Sequence, residues 1–336
     1  MTIQTGLDYI RSRSIVDCDT LDEEVAKTLG PFQDCTSNQA IAYNELCKPK
    51  HTELIQASLA KSQSIIQDFP GLTVEELAIE IAMLSLSVKI APHITGYIHV
   101  QTNPYYSYST QKTVQNALRL VRLLTDHITP SDYQSRICIK IPSTWEGLKA
   151  CEFLEKVGVR TLATTLFTIS QAVLAAEVGC TYIAPYVNQL KVHFDSDFQD
   201  PAPLLPVCAA IQEIYTTIGT KTQVLPASLT STTEIYALAG VHHITIAPKL
   251  LEELAKQSLE DGVPVPSLFE TSIRSTYEVP KEPMSFLNDE SGYQIAFTRE
   301  GKGASQEKLI QAINIFCDMQ DKLVGLFKKN LKSTLS

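Results

Sequence analysis

Arginine is scarce in this chain: there are 8 in 336 residues, and 28 Lys plus Arg face 37 Asp plus Glu, a net charge of −9. Nucleic acids and polyphosphates are held by clustered cations, so this balance excludes them as partners. Long apolar runs are also missing. The most apolar stretch, LAIEIAMLSLSV around Met83, is broken by Glu80 and falls short of the roughly 18 residues a membrane helix needs. The N-terminal MTIQTGLDYIRSRS has no apolar signal core, and the chain carries no CaaX box or SKL address. Its 8 cysteines form no CxxC pair, and its 7 histidines form no HExxH. Several cysteines sit in apolar runs, so a cytoplasmic protein with reduced thiols and no zinc site is expected. His242 and His243 are adjacent, which in a strand sends them to opposite faces. With 44% hydrophobic residues, the composition is that of a globular protein.

Short apolar runs alternate with helical patterns. Eight strands are predicted: 14–17, 32–36, 97–102, 137–141, 161–165, 181–187, 222–227 and 243–247. Amphipathic segments between them predict helices over 21–29, 39–68, 74–89, 111–126, 145–157, 169–178, 203–218, 232–239 and 249–257. The second of these should be interrupted near Lys48-Pro49, because proline breaks helix interiors. Thr73 before VEEL reads as an N-cap, and Gly158, Gly179 and Gly240 follow helical runs where a left-handed C-cap favours glycine. Eight strands alternating with helices predict a parallel sheet closed into a (β/α)₈ TIM barrel, one domain over residues 1–336. The extra length is read as an extended loop over 260–303 and an additional C-terminal helix over 304–331. A doubly wound sheet is the alternative, made less attractive by the lack of GxGxxG after the first strand.

The segment Arg136–Gly147, RICIKIPSTWEG, carries the chemistry. Ile137, Ile139 and Ile141 share one strand face, and Cys138 and Lys140 share the other. In a barrel that second face is the interior, and a lysine there must be paired or neutral. One reading is an ion pair at a strand end; the other is a neutral amine that attacks carbonyls. The stretch IKIPSTWEGLKACEFLEKVGV resembles the Schiff-base lysine motif of transaldolases, with Lys140 on the imine-forming lysine. The resemblance continues along most of the chain. IVDCDT resembles the first-strand segment with the catalytic aspartate, taken as Asp17. QDCTSN resembles DATTNP, placing Asn38 and its neighbour Thr36 beside the imine. TTLFTISQAVLAAEVGCTYIAPYV resembles the fifth strand, helix and sixth strand, and AGVHHITIAPKLLEELA the eighth strand and helix. It implies a (β/α)₈ barrel and imine chemistry.

Against that pattern several residues differ. The third-strand glutamate falls on Gln101, and the fifth-strand asparagine on Leu162, while Thr164 is kept. The sixth-strand SPFVGR becomes Ala184-Pro185-Tyr186-Val187-Asn188-Gln189, so a phosphate-binding arginine falls on Gln189. The seventh-strand GASFR becomes Pro226-Ala227-Ser228-Leu229-Thr230, so a second falls on Thr230. Gln101, Ala184 and Tyr186 together resemble fructose-6-phosphate aldolases, in which a tyrosine, a glutamine and a threonine hold a proton-shuttling water. A phenol can pass a proton; a phenylalanine cannot. Gln and Thr cannot replace guanidinium charge at a phosphate. Lys191 and Lys249 could substitute in part, but read as solvated surface lysines.

Together these imply a lyase or transferase that forms an imine through Lys140 and makes or breaks a C–C bond beside a carbonyl. Its substrate is expected to be a small, non-phosphorylated carbonyl compound of specialised carbohydrate metabolism. Asp17 would move the proton of the reacting hydroxyl, and Gln101, Thr164 and Tyr186 would hold the water. Asn38, Thr36, Leu162, Ala184, Gln189, Ser228 and Thr230 would line the substrate site. No metal or organic cofactor is required. A homodimer is the candidate assembly, although the related shorter aldolases form larger rings. Two alternatives stay open: an ordinary transaldolase of the pentose phosphate pathway, and a silent barrel that binds a metabolite or protein.

Overall fold

The computed structural model describes residues 5–128, 131–260, 262–270 and 284–334. Eight parallel strands form one sheet: β1 (Ile15–Asp19), β2 (Cys35–Thr36), β3 (Ile98–Gln101), β4 (Ile137–Pro142), β5 (Arg160–Leu166), β6 (Tyr182–Pro185), β7 (Gln223–Val224) and β8 (His243–Ile246). They run in the order β7-β6-β5-β4-β3-β2-β1-β8. The two ends meet where the Thr245 N–H donates to the Pro226 carbonyl at 3.3 Å, so the sheet curls into a (β/α)₈ barrel. All eight strands read from the sequence are present. β2, β6 and β7 are shorter than their apolar runs, because pairing beyond them is reduced to single bridges, Phe32 to Ile94 and Tyr186 to Ala227. Pro226 has no N–H for the ladder, which ends regular pairing of the seventh strand.

The helices follow the same logic. Pro49 sits in a 3₁₀ turn, Pro49–His51, between helices Gln39–Leu46 and Thr52–Ile65, at the predicted interruption. Thr73 and Glu76 form a reciprocal capping box on helix Val74–Ile90. Glu80, which breaks that helix's apolar run, is buried but holds Arg119 through two 2.7 Å bonds, so its charge is paired. Gly158, Gly179 and Gly240 all have positive φ. Gly147 serves differently. A Cβ there would lie 2.0 Å from the Pro142 carbonyl oxygen, so the helix Trp145–Lys156 can start hard against the end of β4 only with glycine at this position.

Two elements differ from the sequence reading. Helix Gly6–Arg13 precedes β1, capped by a Thr5–Asp8 box, in a segment the composition left unassigned. Glu290–Arg299, inside the stretch read as extended loop, is a helix. Asp289 caps it, and Tyr293 and Phe297, four residues apart, bury against Trp145 and each other. That local i, i+4 spacing outweighs the Pro, Ser and Glu content of the surrounding segment. Part of the 260–303 stretch, residues 261 and 271–283, lies outside the described residues.

The C-terminal helix, Ala304–Thr334, buries Leu309, Ile313, Phe316, Leu323 and Phe327. Each such side chain contributes about 1.5–3 kcal/mol on burial. It packs on helices Gln39–Leu46, Thr52–Ile65 and Val74–Ile90 and on the turn Leu190–His193, crossing segments that follow the C-terminal ends of the strands. Two glycines give opposite expectations. Gly147→Ala should lose about 1–3 kcal/mol through overpacking at the β4 end. Gly325→Ala, on the exposed side of the last helix with nothing within 4 Å of the new methyl, should gain up to about 1 kcal/mol. Urea midpoints of the two variants check both signs.

Candidate active site

The barrel interior is layered, because side chains two apart on a strand share a face. Gln101, Lys140 and Leu162 are partners in register across β3, β4 and β5, with Thr164 one step further along β5. Lys140 is 2% exposed, and among the described residues no carboxylate lies within ion-pair distance of its Nζ. Burial lowers its pKa from the usual lysine value, against the opposing charge of Asp19. The apolar Leu162 beside it deepens that desolvation. The strand-end ion pair considered from the sequence is therefore not what holds this lysine.

Lys140 opens on a cavity of about 260 Å³ at the C-terminal mouth, which it shares with Asp19, Asn38, Tyr186 and Ser228. Asp19 is fixed by Thr36, whose Oγ1 donates to Asp19 Oδ1 at 2.6 Å. Thr245 Oγ1 is 2.6 Å from the same hydroxyl. Thr36 has one proton to give, so it accepts from Thr245. Asn38 caps helix Gln39–Leu46, with Oδ1 accepting from the N–H of Ala40 and Ile41. Its carbonyl is thereby occupied, and its NH₂ is the donor it offers the cavity. Burial raises the Tyr186 phenol pKa, against the neighbouring Thr164. The phenol is thus a proton-carrying group at neutral pH. Both amide atoms of Gln101 are buried without a protein hydrogen-bond partner, and the buried Thr164 hydroxyl has only the Tyr186 phenol beside it. Such groups need water or substrate to complete them.

Asp17, expected at the reacting carbon, is elsewhere. It is fully buried, does not line the cavity, and accepts from Asp34 N–H and pairs with His243 Nδ1, each at 2.8 Å. Asp34 pairs with His99 Nε2 at 2.9 Å, and the Tyr182 ring stands 5.2 Å from both imidazoles. These residues form a polar layer beneath the lysine. Burial raises the Asp17 pKa against the His243 bond. His243 itself is pulled down by burial, but Asp17 outweighs this and the net shift is upward. Ligand atoms of Asp17, Asp34 and His243 lie within 4.8 Å of one another. Each carboxylate already has an imidazole and a backbone N–H, which accounts for the cluster as two hydrogen-bonded pairs. The residue that shares the cavity with Lys140 is Asp19, two positions along the same strand face.

The remaining predicted positions divide. Ala184 and Leu162 are buried behind the cavity. Gln189 and Thr230 do not line it. The Gln189 carbonyl accepts from Gln311 on the C-terminal helix, and the Thr230 N–H donates to Glu234. Lys191 pairs with Asp195 and lies over the Phe198 ring, and Lys249 is exposed. Several lining residues have no counterpart among the predicted positions, His193 and Phe316 among them. His193 ends the turn after β6, with Nε2 2.9 Å from Ser228 Oγ, and Phe316 comes from the C-terminal helix. Neither carries a local sequence signal.

Two outcomes follow for the two aspartates. Asp17→Asn leaves a buried imidazole without its carboxylate and should lower stability by about 3–5 kcal/mol in urea unfolding. Its folded fraction should still form an imine. Asp19→Asn removes an anion that favours the ammonium form of Lys140. Imine formation needs the neutral amine, so it rises with pH through a pKa below 10.5. In Asp19→Asn that rise should move to still lower pH, measured as borohydride-trapped adduct against pH.

A family model described as Transaldolase/Fructose-6-phosphate aldolase matches residues 16–324. The chain is 33% identical over 331 residues to Transaldolase A of Pasteurella multocida, covering 96% of this chain and 98% of that one. It is 32% identical over 336 residues to the transaldolase of Haemophilus influenzae strain PittGG, covering 97% and 99%. The transaldolase of Chlamydia caviae is 29% identical over 320 residues, covering 94% and 93%. Among the described residues no helix is long and apolar enough to cross a membrane. With a (β/α)₈ barrel, a buried lysine on β4 and matches along nearly its whole length, the chain belongs to the transaldolase/fructose-6-phosphate aldolase family and is a class I aldolase- or transferase-like enzyme.

Proposed function

We propose that this enzyme forms an imine between Lys140 and an uncharged carbonyl donor, and makes or breaks a C–C bond without recognising phosphate. One observation carries the reading. The cavity around Lys140 holds a carboxylate and a phenol, and no arginine or second lysine is among its lining residues. The transaldolases this chain matches supply the chemistry; the lining argues for a different substrate. A role in specialised metabolism follows from that difference.

The residues take these parts. Neutral Lys140 adds to the donor carbonyl, and the carbinolamine loses water to give an iminium. The iminium draws electrons from an adjacent bond. In cleavage, Asp19 accepts the hydroxyl proton, the C–C bond pair moves into the enamine, and an aldehyde leaves. In synthesis, the enamine carbon attacks the aldehyde, and the alkoxide formed takes that proton back. Tyr186, with Thr164 and Gln101, moves protons through a water at the imine carbon and the enamine. Asn38 donates to a donor oxygen, and Thr36 positions Asp19. Hydrolysis frees the lysine.

The test is borohydride trapping of hydroxyacetone, dihydroxyacetone and fructose 6-phosphate, with the modified peptide identified by mass spectrometry. The uncharged donors should mark Lys140, and Lys140→Met should abolish the mark. No adduct with any donor would support the silent-barrel reading. Transfer from fructose 6-phosphate to erythrose 4-phosphate should be at least about 10-fold slower than in authentic transaldolases, since a hydrogen bond to a charged group is worth about 1.5–3 kcal/mol. Efficient transfer would return the chain to the pentose phosphate pathway. Tyr186→Phe should slow deuterium exchange at the donor carbon by about 100-fold or more while adducts still form. Unchanged exchange would remove Tyr186 from the mechanism.

A further inference from the structure

We infer that the outer half of the cavity selects an acceptor aldehyde that is uncharged and apolar at its far end, with His193 and Ser228 holding an oxygen and Phe194, Leu190 and Phe316 holding carbon. The inference rests on the imine reading above and adds the class of the second substrate. Its basis is what stands outward of Lys140. His193 and Ser228 face each other with Nε2 and Oγ 2.9 Å apart, and both line the cavity. His193 is exposed at the rim, and the partial burial of its ring draws its pKa down from the usual imidazole value, so at neutral pH it offers a hydrogen bond without charge.

Ser228 is held in an unusual conformation. Its φ is +59°, a left-handed value that non-glycine residues rarely adopt. The Asn188 side chain and backbone N–H both donate to its carbonyl, at 3.0 and 3.2 Å, and the Asn188 amide also donates to Glu234. Strain held this firmly beside a cavity is characteristic of residues that position a ligand. Carbon also lines the cavity. Phe194 is 45% exposed, a large aromatic ring standing at the mouth. Leu190 begins the same turn, and Phe316 reaches in from the C-terminal helix. Asp19 is the carboxylate in this lining, and a phosphate placed there would meet its charge with no guanidinium in reply.

The experiment uses the full-length enzyme with dihydroxyacetone or hydroxyacetone as donor and three acceptors: 3-phenylpropanal, glyceraldehyde and glyceraldehyde 3-phosphate. The kcat/KM for 3-phenylpropanal should exceed that for glyceraldehyde 3-phosphate by at least about 10-fold, since single methylenes in apolar pockets discriminate by about 10–200-fold. Phe194→Ala should cut that ratio about 10-fold, and Phe194→Arg should shift it toward the phosphorylated aldehyde. His193→Phe should raise KM for glyceraldehyde more than for 3-phenylpropanal. Phe194 is at the rim, so its variants should fold; Phe316→Ala would open the core and is not the test. Donor adduct at Lys140 is measured in every variant. If adducts form but glyceraldehyde 3-phosphate is preferred, or the ratio ignores Phe194, the inference is overturned and the imine reading stands. If no donor marks Lys140, both fall together.

Discussion

The site depends on one constraint: an amine buried inside a closed barrel, with no carboxylate of the described residues within ion-pair distance. Burial there disfavours the charged form, so the surroundings of Lys140 set its protonation and with it the chemistry. Leu162 beside it and the strands around it remove water. Asp19 tempers the effect from across the mouth. Gly147 lets the following helix begin against the strand end, which fixes the backbone that carries the lysine. The nucleophile is a product of packing as much as of residue type.

Beneath it, the barrel separates stability from reaction by depth. Asp17 with His243 and Asp34 with His99 form two hydrogen-bonded pairs in a lower layer around the Tyr182 ring, and each imidazole keeps one buried ring nitrogen without a protein partner. One step toward the mouth, Asp19, Lys140 and Tyr186 face space. The same strands serve both layers, so two aspartates of one strand, two residues apart, meet different surroundings: Asp17 an imidazole, Asp19 the cavity.

Much of this was legible in the residues. Period-two strands, capped helices and glycine stops revealed eight β/α units, and strand parity turned Lys140 inward before any motif was compared. The choice between Asp17 and Asp19 was not legible. Both have the same parity, and only the stagger of β1 against β2 and β8 decides which one reaches the mouth. Gln189 and Thr230 matched by motif, yet the first is drawn to Gln311, more than a hundred residues later. His193 lies in an aperiodic turn, and the spacing of Phe316 announces burial without saying against what. The helix at Glu290–Arg299 was hidden by averaging composition over a segment whose local spacing was helical.

Phe316 belongs to the last helix, while the imine strand lies near the middle of the chain. Lys140 and the aromatic ring that walls its cavity are therefore encoded far apart and joined only on folding. Gln311, Phe316 and Asp321 tie that helix to the turn after β6 and to Tyr105. The wall of the cavity is therefore complete only when the last helix has docked on the barrel.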